Sequence, residues 1–231
     1  MHLLIPAAGS GKRMGSDRNK LLLPLREKPL LAWTLLAADA TQSIEWIGVI
    51  AQPDEWDELK AIVADLELHQ AVHFIPGGKT RQESVHNGLN GLPDTAEQVL
   101  IHDGARCLVS PALIDRCAEA VHQYPGLIAA IPVKDTIKQV IPNTHQIQQT
   151  PDRQFLWAAQ TPQGFDVATL RKCHAEAQTQ GWAVTDDAAL FEKCGLPVQI
   201  VAGEETNLKV TTPLDLAIAD FILQQRHTAS L

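Results

Sequence analysis

Short apolar runs alternate with amphipathic stretches along most of the chain. His2–Pro6, Trp46–Ala51, Val72–Ile75, Val99–His102 and Leu127–Val133 read as strands. The stretches around Pro29–Asp39, Asp54–Asp65, Thr80–Leu92 and Pro111–Gln123 carry helical periodicity. Alternation of this kind implies βαβ crossovers, so the expected class is α/β with a mainly parallel sheet flanked by helices. In such sheets ligands bind off the carboxyl ends of the strands, and the loops there are where chemistry is expected.

The alternation breaks at Lys134–Gln160. This stretch is polar and rich in Gln, Thr and Pro, with two β-like runs, Ile137–Ile141 and Gln146–Thr150, around Pro142-Asn143-Thr144-His145. It predicts a projecting β-hairpin arm inserted in a single domain spanning 1–231. An isolated hairpin buries little, so the arm is expected to pack against another chain. Helical patterns resume at Val167–Gln180 and Asp187–Lys193, followed by a strand at Val198–Val201, a loop through Lys209 and a last helix near Leu214–Gln225.

The totals narrow the function. At 231 residues and 45% apolar, the chain suits one ordinary α/β core. Nineteen basic against twenty-seven acidic residues leave a net charge of −8, so no broad basic face for nucleic acid is expected. An anionic ligand must then be held by a local basic site. The start runs directly into Leu3-Leu4-Ile5-Pro6, so neither a leader nor a membrane span is expected, and the expected location is cytoplasmic. Cys107, Cys117, Cys173 and Cys194 form no C-x-x-C pair, which favours reduced thiols over a zinc site.

Three glycine- or charge-bearing loops carry the candidate chemistry. The first, Pro6-Ala7-Ala8-Gly9-Ser10-Gly11-Lys12-Arg13-Met14-Gly15, leaves a predicted strand and continues to Lys20. Its small residues let backbone N–H groups approach an anion, and Arg13 and Lys20 add positive charge. It is not a Walker A loop, because Pro6 and Arg13 stand where Gly and Ser/Thr are needed. Nor is it a dinucleotide fingerprint, because Met14 replaces the third glycine. The second loop, Pro76-Gly77-Gly78-Lys79-Thr80-Arg81-Gln82-Glu83-Ser84, opens a helix. It reads equally as a capped turn, with Thr80 and Glu83 as a capping box, and as a ligand-facing turn with Gly78 and Ser84 on one site. The third, His102-Asp103-Gly104-Ala105-Arg106, ends the most apolar strand. Asp103 there suits Mg2+ beside a triphosphate, Arg106 suits a second anion, and His102 reads as a packed strand residue.

Together these motifs resemble a known family. P-A-A-G-S-G-K-R-M-G with Lys20, G-G-x-x-R-x-x-S at 77–84, H-D-G-A-R at 102–106 and N-L-K-V-T at 207–211 occur in order. Val133-Lys134-Asp135-Thr136, Asp152-Arg153, Ala159-Gln160-Thr161-Pro162-Gln163 and Thr185-Asp186-Asp187 accompany them. The set is similar to the 2-C-methyl-D-erythritol 4-phosphate cytidylyltransferases over nearly the whole chain. The resemblance implies a Rossmann-like sheet, a homodimer exchanging arms, and Mg2+-dependent transfer of CMP from CTP to a polyol phosphate in isoprenoid precursor synthesis. It places Pro6, Ala7, Ala8, Gly9, Gly11, Gly78 and Ser84 around CTP. Arg13, Lys20 and Lys209 fall on the triphosphate, Asp103 on the nucleotide and metal, and Arg106, Thr136 and Arg153 on the acceptor phosphate. Thr136 and Arg153 would act from the partner's arm. One position departs: Ala is expected where Gly104 stands. The alternatives are a cytidylyltransferase for another polyol phosphate, such as ribitol 5-phosphate, and a non-catalytic nucleotide-binding module.

Overall fold

The computed structural model describes residues 1–9 and 19–229. After β1 (His2–Pro6), the pair β2 (Pro24–Leu25) and β3 (Lys28–Pro29) leads into α1 (Leu30–Asp39). Alternation follows: β4 (Trp46–Ala51), α2 (Trp56–Ala64), β5 (Val72–Pro76), α3 (Arg81–Asn90), β6 (Gln98–Ile101), α4 (Pro111–Ala120) and β7 (Gly126–Pro132). The second half holds β8 (Gln139–Val140), β9 (Ile147–Gln149), β10 (Trp157–Asp166), α5 (Val167–Gln180), α6 (Ala188–Lys193), β11 (Gln199–Ala202) and α7 (Pro213–Ala229).

One sheet runs β11-β7-β10-β6-β1-β4-β5. β1 pairs in parallel with β4 and β6, β4 with β5, and β11 with β7. Only β10 is antiparallel, to both β6 and β7. The sheet is thus the expected mainly parallel one with a reversed strand set into it. Alternation along β1 explains the layering, since successive side chains point to opposite faces. Leu3 and Ile5 join the core beneath α1, α2 and α4, with Leu31, Leu35, Leu113 and Ile114. Leu4 joins the other core, with Val85, Leu89, Phe165, Leu170 and Phe191 beneath α3, α5 and α6. Each fully buried leucine contributes about 1.5–3 kcal/mol of transfer free energy.

Helix limits follow local chemistry. Ser110 caps α4 ahead of Pro111, and Asp166 caps α5 by accepting from Thr169 N at 2.7 Å. α5 ends at Gly181, whose φ of +67° is readily accessible to glycine. α7 packs through Ala219 and Leu223 against Leu25, Leu30, Leu108 and Val210. Among the described residues no helix is long and apolar enough to cross a membrane.

β10 is the element that apolar patterning does not reveal. Its middle, Ala159-Gln160-Thr161-Pro162-Gln163-Gly164, has no apolar alternation, and its pairing with β7 shifts register between Ala159 and Gln163. Neighbours on both sides hold its backbone, while its buried amides find partners of their own. Gln160 Nε2 donates to the Glu204 carbonyl at 2.9 Å, and Gln163 Nε2 to Asp186 Oδ2 at 2.9 Å. The last four residues of the stretch expected in the arm, 157–160, therefore belong to the central sheet. Residues 134–150 are all exposed, and within them β8 and β9 make a short antiparallel ladder, Gln139↔Gln149 and Val140↔Ile147.

Candidate active site

The parallel strands β1, β4, β5 and β6 deliver their carboxyl-terminal loops to one rim, around a cavity of about 560 Å³. Pro6, Ala7, Ala8 and Gly9 line it from the end of β1, and Gly78 and Ser84 from the turn between β5 and α3. Lys20, Asp103 and Lys209 complete the set of expected residues that meet there. Gly11 and Arg13 lie outside the described residues.

Hydrogen bonds tie both described ends of the first loop. Ala7 N donates to the Ile50 carbonyl at 2.7 Å, fixing its start against β4. Asn19 Nδ2 donates to the Ala7 carbonyl at 2.7 Å and to Glu55 Oε2 at 3.0 Å, and Asn19 Oδ1 accepts from Leu21 N at 3.0 Å. That cap starts a one-turn 3-10 helix, Lys20–Leu22, and aims Lys20 inward, where Nζ donates to the Val210 carbonyl at 3.0 Å.

The second loop is the capped turn expected, and it sets Gly78 and Ser84 on the cavity wall. Thr80 Oγ1 accepts from Glu83 N at 3.1 Å, and Glu83 Oε2 accepts from Lys79 N at 2.6 Å. Ser84 Oγ accepts from Gly78 N at 3.0 Å and donates to the Thr80 carbonyl at 2.9 Å. The glycines allow close approach. A Cβ on Gly78 would collide with the Glu83 side chain and stand 2.9 Å from the Glu83 carbonyl carbon, which cannot yield.

Asp103 is the electrostatic centre of the cavity wall. Lys209 Nζ lies 2.6 Å from its Oδ2, and Arg81 Nε 3.4 Å from its Oδ1. Burial alone would raise its pKa, but the Arg81 and Lys209 cations outweigh that and hold the carboxyl well below the usual range. Asp103 is therefore ionised. Its backbone N–H donates to Thr161 Oγ1 at 3.0 Å, and Thr161 in turn contacts His102 Nδ1 at 3.0 Å. His102 Nε2 lies 3.2 Å from the Arg106 carbonyl, which can only accept. Nε2 thus carries the proton, and Nδ1 accepts from the Thr161 hydroxyl. Burial lowers the His102 pKa to about 4, so the ring is neutral at neutral pH with both nitrogens committed. It is the packed strand residue expected.

The residues expected around the acceptor phosphate stand apart from this cavity. Arg106 donates to the Asn207 carbonyl at 2.8 Å and the Ala159 carbonyl at 3.2 Å. Its Nε is buried with no hydrogen-bond partner among the described residues. Arg153 donates to the Lys134 carbonyl at 2.7 Å, at the foot of the exposed segment that carries Thr136. At Gly104 a Cβ would meet Leu21 Cδ1 at 2.9 Å and Ile5 Cγ2 at 3.2 Å, so the expected Ala requires small shifts of both side chains.

The sequence assigned no role to Arg81, Asp187, Thr161 or Asn207. Asn207 Nδ2 donates to the Thr161 carbonyl at 2.8 Å, fastening the Lys209 loop to β10. The available signal was the company of the recognised motifs: Arg81 lies inside G-G-x-x-R, and Asp187 inside T-D-D.

Comparison with known proteins matches residues 1–225 to the family described as "IspD: 2-C-methyl-D-erythritol 4-phosphate cytidylyltransferase". The chain belongs to this cytidylyltransferase family. It is 67% identical over 226 residues to the 2-C-methyl-D-erythritol 4-phosphate cytidylyltransferase of Nostoc punctiforme, covering 98% of this chain and 99% of that one. Identity to the protein of that name from Crocosphaera subtropica is 64% over 228 residues, covering 99% and 100%. Two solved structures are similar throughout. The 4-diphosphocytidyl-2C-methyl-D-erythritol synthase of Anaerococcus prevotii has a TM-score of 0.85 at 30% identity, covering 96% of this chain and 97% of its own. The cytidylyltransferase of Thermus thermophilus has a TM-score of 0.76 at 32% identity, covering 96% and 98%. The cavity thus sits in a cytidylyltransferase fold, at the strand ends where its glycine loops converge.

Proposed function

We propose that the chain transfers CMP from CTP to 2-C-methyl-D-erythritol 4-phosphate and releases pyrophosphate. The observation that carries this reading is the cluster of Lys20, Lys209, Arg81 and ionised Asp103 on one glycine-walled cavity. The nucleophile is an oxygen of a phosphate monoester, whose second pKa is near 6. It is largely deprotonated at neutral pH and needs no general base, and His102, locked on both nitrogens, offers none. What the reaction needs is compensation of negative charge as a dianion meets a triphosphate.

In this reading the Pro6–Gly9 and Gly11 backbone cradles the nucleotide, and Gly78 and Ser84 face cytosine or its ribose. Lys20, Lys209 and Arg13 hold the triphosphate. Asp103 would hold Mg2+, which supplies further positive charge at the phosphates when bound. A single ionised carboxylate beside phosphate oxygens is a donor set that suits this ion. Arg106, Thr136 and Arg153 would orient the acceptor phosphate. Residues 134–150 expose Ile137, Val140, Ile141 and Ile147, and a second copy of the chain would cover them, forming a homodimer in which Thr136 and Arg153 serve the partner's cavity.

The test is pyrophosphate release from purified protein with Mg2+, CTP and each candidate acceptor. Turnover is expected with methylerythritol phosphate. Turnover with ribitol 5-phosphate and none with methylerythritol phosphate refutes the acceptor assignment.

A further inference from the structure

α6 opens on two adjacent aspartates with different work. Asp186 Oδ1 accepts from Ala189 N at 3.1 Å, and Gln163 Oε1 accepts from Ala188 N at 3.3 Å. The start of the helix is satisfied without the Asp187 carboxylate, which makes no capping bond. Asp187 is only 1% exposed, and a buried carboxylate needs a charged partner. Its Oδ2 accepts from Arg81 Nη1 at 2.8 Å, across 106 residues of sequence, with His174 Nε2 3.6 Å from Oδ1. Arg81 itself stands in the first turn of α3, where a cation opposes the helix dipole. The helix gains nothing from it there. The two carboxylates it bridges account for it: buried Asp187 on one side and cavity-wall Asp103 on the other, Nε to Oδ1 3.4 Å.

We propose that Asp187 is a positioning residue for the nucleotide site, fixing Arg81 as a stationary donor beside Asp103 Oδ1 so that Oδ2 is the oxygen turned to the cavity. This rests on the reading of Asp103 and Lys209 as triphosphate-site residues. Oδ2 is paired with Lys209, and becomes available when Lys209 turns to phosphate. Without the Asp187 charge, Arg81 keeps one carboxylate partner, and its forked guanidinium takes both oxygens of Asp103. Asp103 then stays closed to the ligand.

Asp187→Asn keeps the volume and one acceptor oxygen but removes the charge. Four proteins are compared: wild type, Asp187→Asn, Arg81→Gln and the double variant. For each, the half-saturating Mg2+ concentration, KM for the acceptor, thermal midpoint and calorimetric Kd for CTP with Mg2+ and no acceptor are measured. Asp187→Asn is expected to raise both the Mg2+ half-saturation and the CTP Kd by roughly 10-fold, as loss of an outer-shell partner does, with acceptor KM unchanged. In the Arg81→Gln background it is expected to add nothing. A lowered thermal midpoint with unchanged Mg2+ and CTP values makes Asp187 merely structural and overturns the proposal, as do effects that multiply in the double variant. Should Asp187→Asn fail to fold, Asp187→Ser, which also removes the charge and leaves Arg81 its fork, is expected to give the same rises, and unchanged values overturn the proposal. If wild type releases no pyrophosphate with any polyol phosphate, the functional reading fails separately, and the CTP Kd series still decides whether Asp187 acts through Arg81.

Discussion

Lys209 Nζ lies 2.6 Å from Asp103 Oδ2, and Lys20 Nζ 3.0 Å from the neighbouring Val210 carbonyl. Each lysine lines the cavity with a resting partner, Asp103 on the wall or the Val210 carbonyl beside it, and has a long side chain that can turn to phosphate. Such donors stabilise the charge that develops during transfer, in a site partly shielded from water. Lys20→Ala and Lys209→Ala are each expected to lower kcat by ~10²–10³, the usual cost of one charge-stabilising donor. Steady-state kinetics on purified variants check this, and near-normal turnover removes that lysine from the mechanism. Arg153→Ala is expected chiefly to raise KM for the acceptor, with the CTP response unchanged.

His102 makes a second prediction at the same scale. Folded, its pKa is about 4, lowered by burial, whereas an unfolded histidine titrates near 6.5. Between those values the unfolded chain binds the extra proton, so stability rises with pH through the window and is lost on acidification. His2 and His86, lowered chiefly by burial, act in the same direction. Asp103, held below the ordinary carboxylate range by Arg81 and Lys209 despite its burial, adds loss only below about pH 4. Going from pH 7 to pH 5 is expected to cost about 2 kcal/mol through His102. Urea unfolding at the two pH values measures it, and His102→Gln should flatten the slope.

Among the elements, α3 shows why a loop motif is also a structural device. The Thr80 cap and the Glu83 carboxylate set the backbone that presents Gly78 and Ser84 to the cavity. Thr80→Ala is expected to cost about 1 kcal/mol by chemical denaturation. Gly78→Ala forces atoms into the Glu83 backbone and is expected to raise the CTP Kd beyond any loss of stability. Capping boxes and apolar periodicity are local, which is why α3, α5 and the parallel strands were legible within a residue or two. β10 was not, because its place is set by two neighbours distant in sequence and by buried amides rather than by apolar alternation. The ion chain from Lys209 through Asp103 and Arg81 to Asp187 was hidden for the same reason. Single sequence motifs name its members, but only the fold brings residues 81, 103, 187 and 209 together.

For the whole molecule the question is which chain completes which site. The cavity draws on β1, β4, β5, β6 and the Lys209 loop of one copy, whereas Thr136 and Arg153 lie on or at the foot of an exposed, apolar-bearing segment. If that segment serves the partner, defects in the body and in the arm must complement. Mixing the Lys209→Ala and Arg153→Ala proteins under conditions that exchange subunits then gives mixed dimers, assayed at an acceptor concentration far below the KM of Arg153→Ala, where both parent proteins are nearly inactive. In a mixed dimer, one cavity carries both defects and the other carries neither. Random exchange makes half of the dimers mixed, each with one intact cavity of two, so about a quarter of wild-type activity should return. If Arg153 serves its own chain, every cavity in the mixed dimer keeps one defect and no activity returns. Gel filtration at a dimer's size must accompany the recovery, and a monomer's size together with no recovery refutes arm exchange. The comparison isolates the origin of Arg153, because both outcomes use the same two defective proteins.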